Sequence, residues 1–300
     1  MRDQLMGHSF NELALADRVP PPSDLLQDKR VSLRMGDLLD NARSFCNDAF
    51  DVVFHLASAT SAECEANFDL GLKSNLDATR ALLDSLRAAG NVPRLVFASS
   101  LAVFGREPNQ PSNFAVHEGT PPAPKSSYGI QKFIGELLVS EYTRKGFLDG
   151  RTARIMTVVV RATQPNGAAS GFLSSIVREP LNGRYAKCPV PPEASIAVSS
   201  PDRTIDGLIT MAELDRDTLC GYSAVNLPAL TVTVQEMLDA LESFAGTCVR
   251  EKVLFAPDEH VARIVRSWPA LFDNTQALRL GLKPDPTFKS IISQFVAEPA

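Results

Sequence analysis

No stretch of this chain reaches the ~18 consecutive apolar residues that a membrane-spanning helix needs, so none is expected. The opening Met-Arg-Asp-Gln-Leu-Met-Gly-His is not followed by an apolar secretory segment, and the expected setting is soluble and cytoplasmic. Basic blocks are missing as well. Lys and Arg number 30 against 35 Asp and Glu, a formal net charge of -5, which leaves no electrostatic reason to expect nucleic acid or anionic lipid as the main partner. A small molecule is the expected ligand. The five cysteines, at 46, 64, 188, 220 and 248, are odd in number and scattered, with no Cys-x-x-Cys pair, so reduced structural thiols and no metal site are expected. His117 and His260 lack a partner at metal-ligand spacing and read as surface residues. Trp268, the only tryptophan, reads as packing, and Glu63 and Glu65 read as part of a solvated turn.

What the sequence does have is alternation of short apolar runs with longer amphipathic segments, the pattern of a parallel sheet covered on both faces by helices. Strands are expected at 13–16, 31–35, 51–55, 94–98 and 154–160. Between them, helices are expected over 68–89, closed by Gly90, and over 128–145. Beyond Pro165 the elements shorten: helices at 169–179, 202–214 and 234–245 alternate with strands near 195–198 and 224–227. Prolines 180, 189, 191, 192 and 201 interrupt this part, which reads as a smaller lobe over the carboxyl edge of the sheet.

Two residues on the second long helix carry the first chemical signal. Tyr128 and Lys132 stand four apart, so both side chains project from one helical face. Upstream, the strand Leu95-Val96-Phe97-Ala98 runs into Ser99-Ser100-Leu101-Ala102-Val103-Phe104-Gly105, which places hydroxyls at the ligand-facing end of the sheet.

Taken together, Ser-Ser-Leu-Ala-Val-Phe-Gly and Ser-Tyr-Gly-Ile-Gln-Lys resemble the paired motifs of the extended short-chain dehydrogenase/reductases, which include the NAD-dependent epimerases and dehydratases. That resemblance implies an α/β fold with a Rossmann-like doubly wound parallel sheet, an NAD-binding domain over 1–165 and a mainly substrate-binding lobe over 166–300. It also implies a catalytic set of Ser100, Tyr128 and Lys132. The hydroxyl of Ser100 would hold the substrate oxygen, and the Lys132 ammonium would favour the Tyr128 phenolate and reach the nicotinamide ribose. Phe104 has no hydroxyl and would contribute only shape. Leu56 and Ala57 resemble the family's cofactor-lining turn, Asp37 and Leu38 its adenine contact, and Asn75-Leu76-Asp77 its first long helix. Asp17, at the end of what looks like the second strand of a dinucleotide fold, would accept the adenosine ribose and favour NAD over NADP. Arg18 follows it, and a plain turn before Pro20 is the competing reading. For the substrate, Asn166 is implied by the resemblance, Ser61 lies on a loop at the same edge, and Arg203 starts a helix from which it could grip a carboxylate.

A narrower resemblance, in Ser61-Ala62-Glu63-Cys64-Glu65, Pro165 to Phe172 and Arg178-Glu179-Pro180-Leu181, is to the branch of D-erythronate dehydrogenases. It implies NAD-dependent oxidation of a small sugar acid at C2 by an enzyme able to form homodimers. The alternatives are a nucleotide-sugar epimerase or dehydratase, and a non-catalytic remnant of the family.

Two departures from the family pattern bear on the cofactor. Arg161-Ala162-Thr163 stands where the family has Arg-Pro-Gly, which loosens one wall of the nicotinamide pocket. No Gly-x-x-Gly-x-x-Gly turn precedes Asp17, so the first βα unit, whose backbone amides cradle the pyrophosphate, is expected to be missing. Titration of NAD into the chain as written should therefore saturate well above the micromolar range, and micromolar saturation would contradict this.

Overall fold

The computed structural model describes residues 4–5, 8–106, 111, 113–161, 168–219 and 224–297. Four parallel strands make the main sheet, in the order Ala224–Asn226, Asp149–Ile155, Arg94–Ser100, Val52–His55. Side-chain alternation explains why Arg94–Ser100 lies inside it. Leu95 and Phe97 meet Leu82, Leu83 and Leu86 of the helix Ala78–Ala89 on one face. On the other face Val96 meets Leu208 and Met211 of the helix Pro201–Glu213. With both faces covered, the strand reads as a continuous apolar run.

The strand expected over 154–160 differs from this. It begins earlier, at Asp149, and breaks after Ile155, while Thr157–Val158 joins a second sheet beside Ser195–Ser199 and Leu230–Thr233. Arg151 hid the earlier start. Its guanidinium is fully buried because Asp149 and the main-chain oxygens of Met211, Ala212 and Leu214 take the donors of its two terminal nitrogens, a partnership that hydropathy cannot register. The first long helix also departs from regularity. Phe68–Gly71 and Ala78–Ala89 flank a wider π turn, Leu72–Asp77, and Gly90 at φ 77° supplies the left-handed stop.

Leu13–Asp17 and Val31–Met35 pair in parallel with each other, and among the described residues no strand links them to Val52–His55. None of their residues is buried. A second core packs Leu173 and Ile176 with Met237, Leu238, Ile291 and Ile292. A further cluster, Leu101, Val103, Phe104, Met156, Ala197 and Phe272, lies at the end of the central strand. The domain boundary expected at 165/166 lies outside the described residues. No helix among those described is long and apolar enough to cross a membrane.

The helix Ser127–Arg144 buries Gly129, Gln131, Lys132, Gly135, Glu136 and Val139, one face at helical spacing. Gly129 sets how close it comes to the sheet: a Cβ there would lie 2.1 Å from the main-chain oxygen of Ala102. Gly129→Ala must push the helix off the strand-end turn, and a loss of about 2 kcal/mol or more is expected in urea unfolding, at the upper end of overpacking costs. An unchanged midpoint would show that the contact is slack.

Candidate active site

Ser100 ends the central strand and caps the short turn Leu101–Val103, its Oγ accepting from Ala102 N at 3.2 Å. With one lone pair engaged by the backbone, its proton remains available to an oxygen beside it. Tyr128 opens the buried helix directly opposite, after Ser126 caps that helix by accepting from Gly129 N at 3.1 Å. Lys132, one turn on, donates to Ala98 O at 2.8 Å. All three line one cavity of about 230 Å³, with Ser58, Thr60, Ser61 and Thr157 adding further hydroxyls and Trp268 closing a side.

Desolvation dominates the electrostatics of this cavity. It pushes the Tyr128 phenol up to about 12, while the neighbouring hydroxyls of Ser100 and Ser58 pull in the opposite direction. It also pulls Lys132 down to about 8, against the stabilising charge of Glu136. The ammonium lies 5.7 Å from the Tyr128 ring centroid, and one of its protons points to a carbonyl oxygen. His55, buried at the end of the neighbouring strand, is pulled down to about 3 by desolvation and by the Lys132 charge, and stays neutral against Thr79 Oγ1 at 2.8 Å.

Several further residues hold the set in place. Ser99, on the strand face opposite Ser100, donates to Glu136 Oε1 at 2.5 Å. Arg154 grips the same carboxylate through two bonds, at 2.9 and 2.7 Å, and lies over the Phe104 ring at 4.8 Å. Asn75, carried inward by the π turn, accepts from Ala59 N at 2.7 Å and donates to Gln131 Oε1 at 2.9 Å, which joins the Ser58–Thr60 loop to the helix. Glu65, read as part of a solvated turn, accepts from Ser127 N at 2.7 Å. Glu136 was discoverable as a carboxyl one turn after Lys132. Its partner Arg154 was not.

A second cavity, of about 240 Å³, collects Asp17, Arg18, Asp37, Leu38, Leu56 and Ala57 from three strand ends. Leu56, Ser58 and Ala59 border both cavities, so the two lie end to end. Asp17 Oδ1 accepts from Val19 N at 3.0 Å, and Asp37 caps the helix Leu38–Ala42 through Leu39 N at 3.0 Å. Each carboxylate thus keeps one oxygen off the backbone. This pair of cavities fits a dinucleotide at its two ends: an acidic strand end for the adenosine ribose, and a hydroxyl-lined floor with Tyr128 and Lys132 for the reacting ring.

Of the expected substrate residues, Ser61 lines the first cavity and accepts from Ala169 N at 3.4 Å. Asn166 lies outside the described residues. Arg203 faces Asp206 at 3.8 Å and is not part of the cavity wall. Trp268, expected only to pack, does so and borders the site as well. Among the described residues no group of His, Cys, Asp and Glu is arranged to hold a metal.

Residues 2–195 match the family model described as "NAD dependent epimerase/dehydratase family". The chain is 42% identical over 292 residues to a D-erythronate dehydrogenase of Cupriavidus necator, covering 97% of this chain and 88% of that protein. It is 42% identical to another of that name from Haemophilus influenzae over 246 residues, 82% of this chain and 77% of the relative. The crystal structure of a nucleoside-diphosphate-sugar epimerase from Agrobacterium tumefaciens superposes with a TM-score of 0.91 at 35% identity, covering 99% of this chain and 87% of that one.

The buried ammonium gives the site a stability signature. Between pH of about 8 and 10.5 the unfolded chain still holds the Lys132 proton that the native protein has released, so this residue's contribution to stability rises with pH across that window. Unfolding midpoints of the wild type should gain on those of Lys132→Met from pH 8 to 10, by at most about 1.4 kcal/mol per pH unit. A pH-independent difference would mean that the ammonium is solvated.

Proposed function

The chain belongs to the NAD-dependent epimerase/dehydratase family, and from that premise we propose that this NAD-dependent oxidoreductase oxidises a small sugar acid, D-erythronate or a close relative, at C2 to the 2-keto acid. The observation that carries this is the cavity around Tyr128. Its wall is rich in hydroxyls, and its only charged residues among those described, Lys132 and Arg161, are cations. A polyhydroxy acid of a few carbons matches that lining. The alternative, a nucleotide-sugar epimerase or dehydratase, is favoured by the likeness to the epimerase structure.

Asp17, Asp37, Leu38, Leu56 and Ala57 would hold the adenosine side of NAD, and Tyr128 and Lys132 its nicotinamide ribose. When bound, the cofactor supplies a hydride acceptor. Ser100 donates to the C2 oxygen and keeps it beside the Tyr128 hydroxyl. In the forward direction the Tyr128 phenolate would take the C2 hydroxyl proton, leaving a carbonyl once a bound nicotinamide had supplied the hydride acceptor. Lys132 has two tasks here, a hydrogen bond to the ribose and a positive charge that favours the phenolate at the moment of transfer. Because the phenol is held up at about 12, Tyr128 rests as an acid, ready to protonate a keto oxygen in the reverse direction. The forward direction then calls for the scarcer phenolate.

Oxidation of D-erythronate should be visible as NADH absorbance, with a rate that rises from pH 7 to about 8 as the phenolate fraction grows and falls off above it, where Lys132 loses the charge that favours the phenolate. Tyr128→Phe should lower kcat by about 10²- to 10⁴-fold, the usual weight of general acid–base catalysis, and should abolish the pH rise. Conversion of a UDP- or dTDP-sugar without net NADH, with no turnover of sugar acids, would instead establish the epimerase alternative.

A further inference from the structure

Arg161 is the one charged residue of the substrate cavity that the sequence argument left without a role. Its backbone is tied on both sides: its N donates to Ser174 Oγ at 3.2 Å and its O accepts from Arg178 Nη1 at 2.8 Å. The side chain is half-buried and reaches the cavity wall. Among the described residues its guanidinium has no carboxylate partner. Nearby, Glu179 is engaged by Arg178 at 2.9 Å and by Arg184 at 2.6 Å, so one carboxylate already serves two guanidinium groups. Burial and the charge of Arg178 both disfavour the Arg161 cation. A half-buried cation facing a cavity with no acidic residue among those described is stabilised by an anion that enters from solvent.

We infer that Arg161 is the carboxylate subsite of this cavity, gripping the substrate's acid group through its two-pronged fork and so presenting the neighbouring hydroxyl to Ser100 and Tyr128. The inference rests on the sugar-acid reading above and makes it specific. It also moves the carboxylate contact away from Arg203, whose place on the helix Pro201–Glu213 leaves it outside the cavity wall. A guanidinium suits the task better than an ammonium, because its parallel N–H groups fix the plane of the carboxylate, and with it the carbon that bears the reacting hydroxyl.

The sole tryptophan lines the same cavity, so Trp268 fluorescence can report occupancy without turnover. Wild type, Arg161→Gln and Arg161→Lys would be titrated with D-erythronate and with erythritol, its neutral four-carbon counterpart, while NADH formation is followed on the same samples. Wild type should bind the acid at least about 10-fold more tightly than the polyol. Arg161→Gln should weaken acid binding by about 10- to 100-fold and leave the polyol unaffected, the range expected for a charged hydrogen-bonding partner. Arg161→Lys should recover part of the loss. Equal acid binding by wild type and Arg161→Gln, or no preference of the wild type for the acid, would overturn the assignment. Arg161-dependent binding of the acid without any NADH would leave the subsite standing and refute the oxidation instead. Were Arg161→Gln not to fold, the wild-type preference and the Arg161→Lys titration would still decide.

Discussion

The buried pairing of Glu136 with Arg154 is the constraint on which the geometry of this site depends. Both residues are about 5% exposed, and such a pair is tolerated only when its hydrogen bonds are well made. Here the carboxylate accepts two bonds from the guanidinium and a third from Ser99. Glu136 belongs to the helix, Ser99 to the central strand and Arg154 to its neighbour, so one carboxylate joins three elements. Tyr128 and Lys132 lie two turns and one turn before it, and Ser100 directly follows Ser99. A slip of the helix along the sheet would break these bonds and separate the phenol from the serine. Gly129 and Gly135 allow the approach, since a Cβ at either would meet Ala102 O or the Phe97 ring.

Desolvation does chemical work in this cavity as well as structural work. It raises the Tyr128 phenol, lowers the Lys132 ammonium and keeps His55 neutral, each time against the charged form. The result is a pocket whose resting state carries little charge of its own beyond its two cations, and into which an anion fits. Ser100 has one side of its hydroxyl committed to Ala102 N, which fixes its orientation at the cavity floor.

The cofactor side is built differently. Leu13–Asp17 and Val31–Met35 pair only with each other among the described residues and bury none of their side chains. They still bring Asp17 and Asp37 to one cavity with Leu56 and Ala57, because the carboxyl ends of parallel strands point the same way whether or not a strand lies between them. The half around Ser100, Tyr128 and Lys132 owes its order to a packed core on both faces of the sheet. The half around Asp17 and Asp37 has, among the described residues, one pair of strands and a few caps to hold it.

Most elements of the α/β fold were legible in the sequence, as were the gathering of Ser100, Tyr128 and Lys132 at one cavity and the strand-end position of Asp17, because each rests on local pattern: apolar runs, a four-residue helical spacing, a strand ending in hydroxyls. Tertiary structure alone decided which polar groups meet. Glu136 finds Arg154, Asn75 finds Gln131 and Arg151 finds the carbonyl oxygens near Met211, contacts between residues far apart in the chain that no periodicity encodes. The same holds for the two arginines considered for the carboxylate. Arg203 and Arg161 look alike as letters, and only the path of the backbone turns one into the cavity and leaves the other beside Asp206. The physical reason is that apolar burial is read from composition and spacing, whereas the burial of a charge depends on which partner the fold brings within hydrogen-bonding distance.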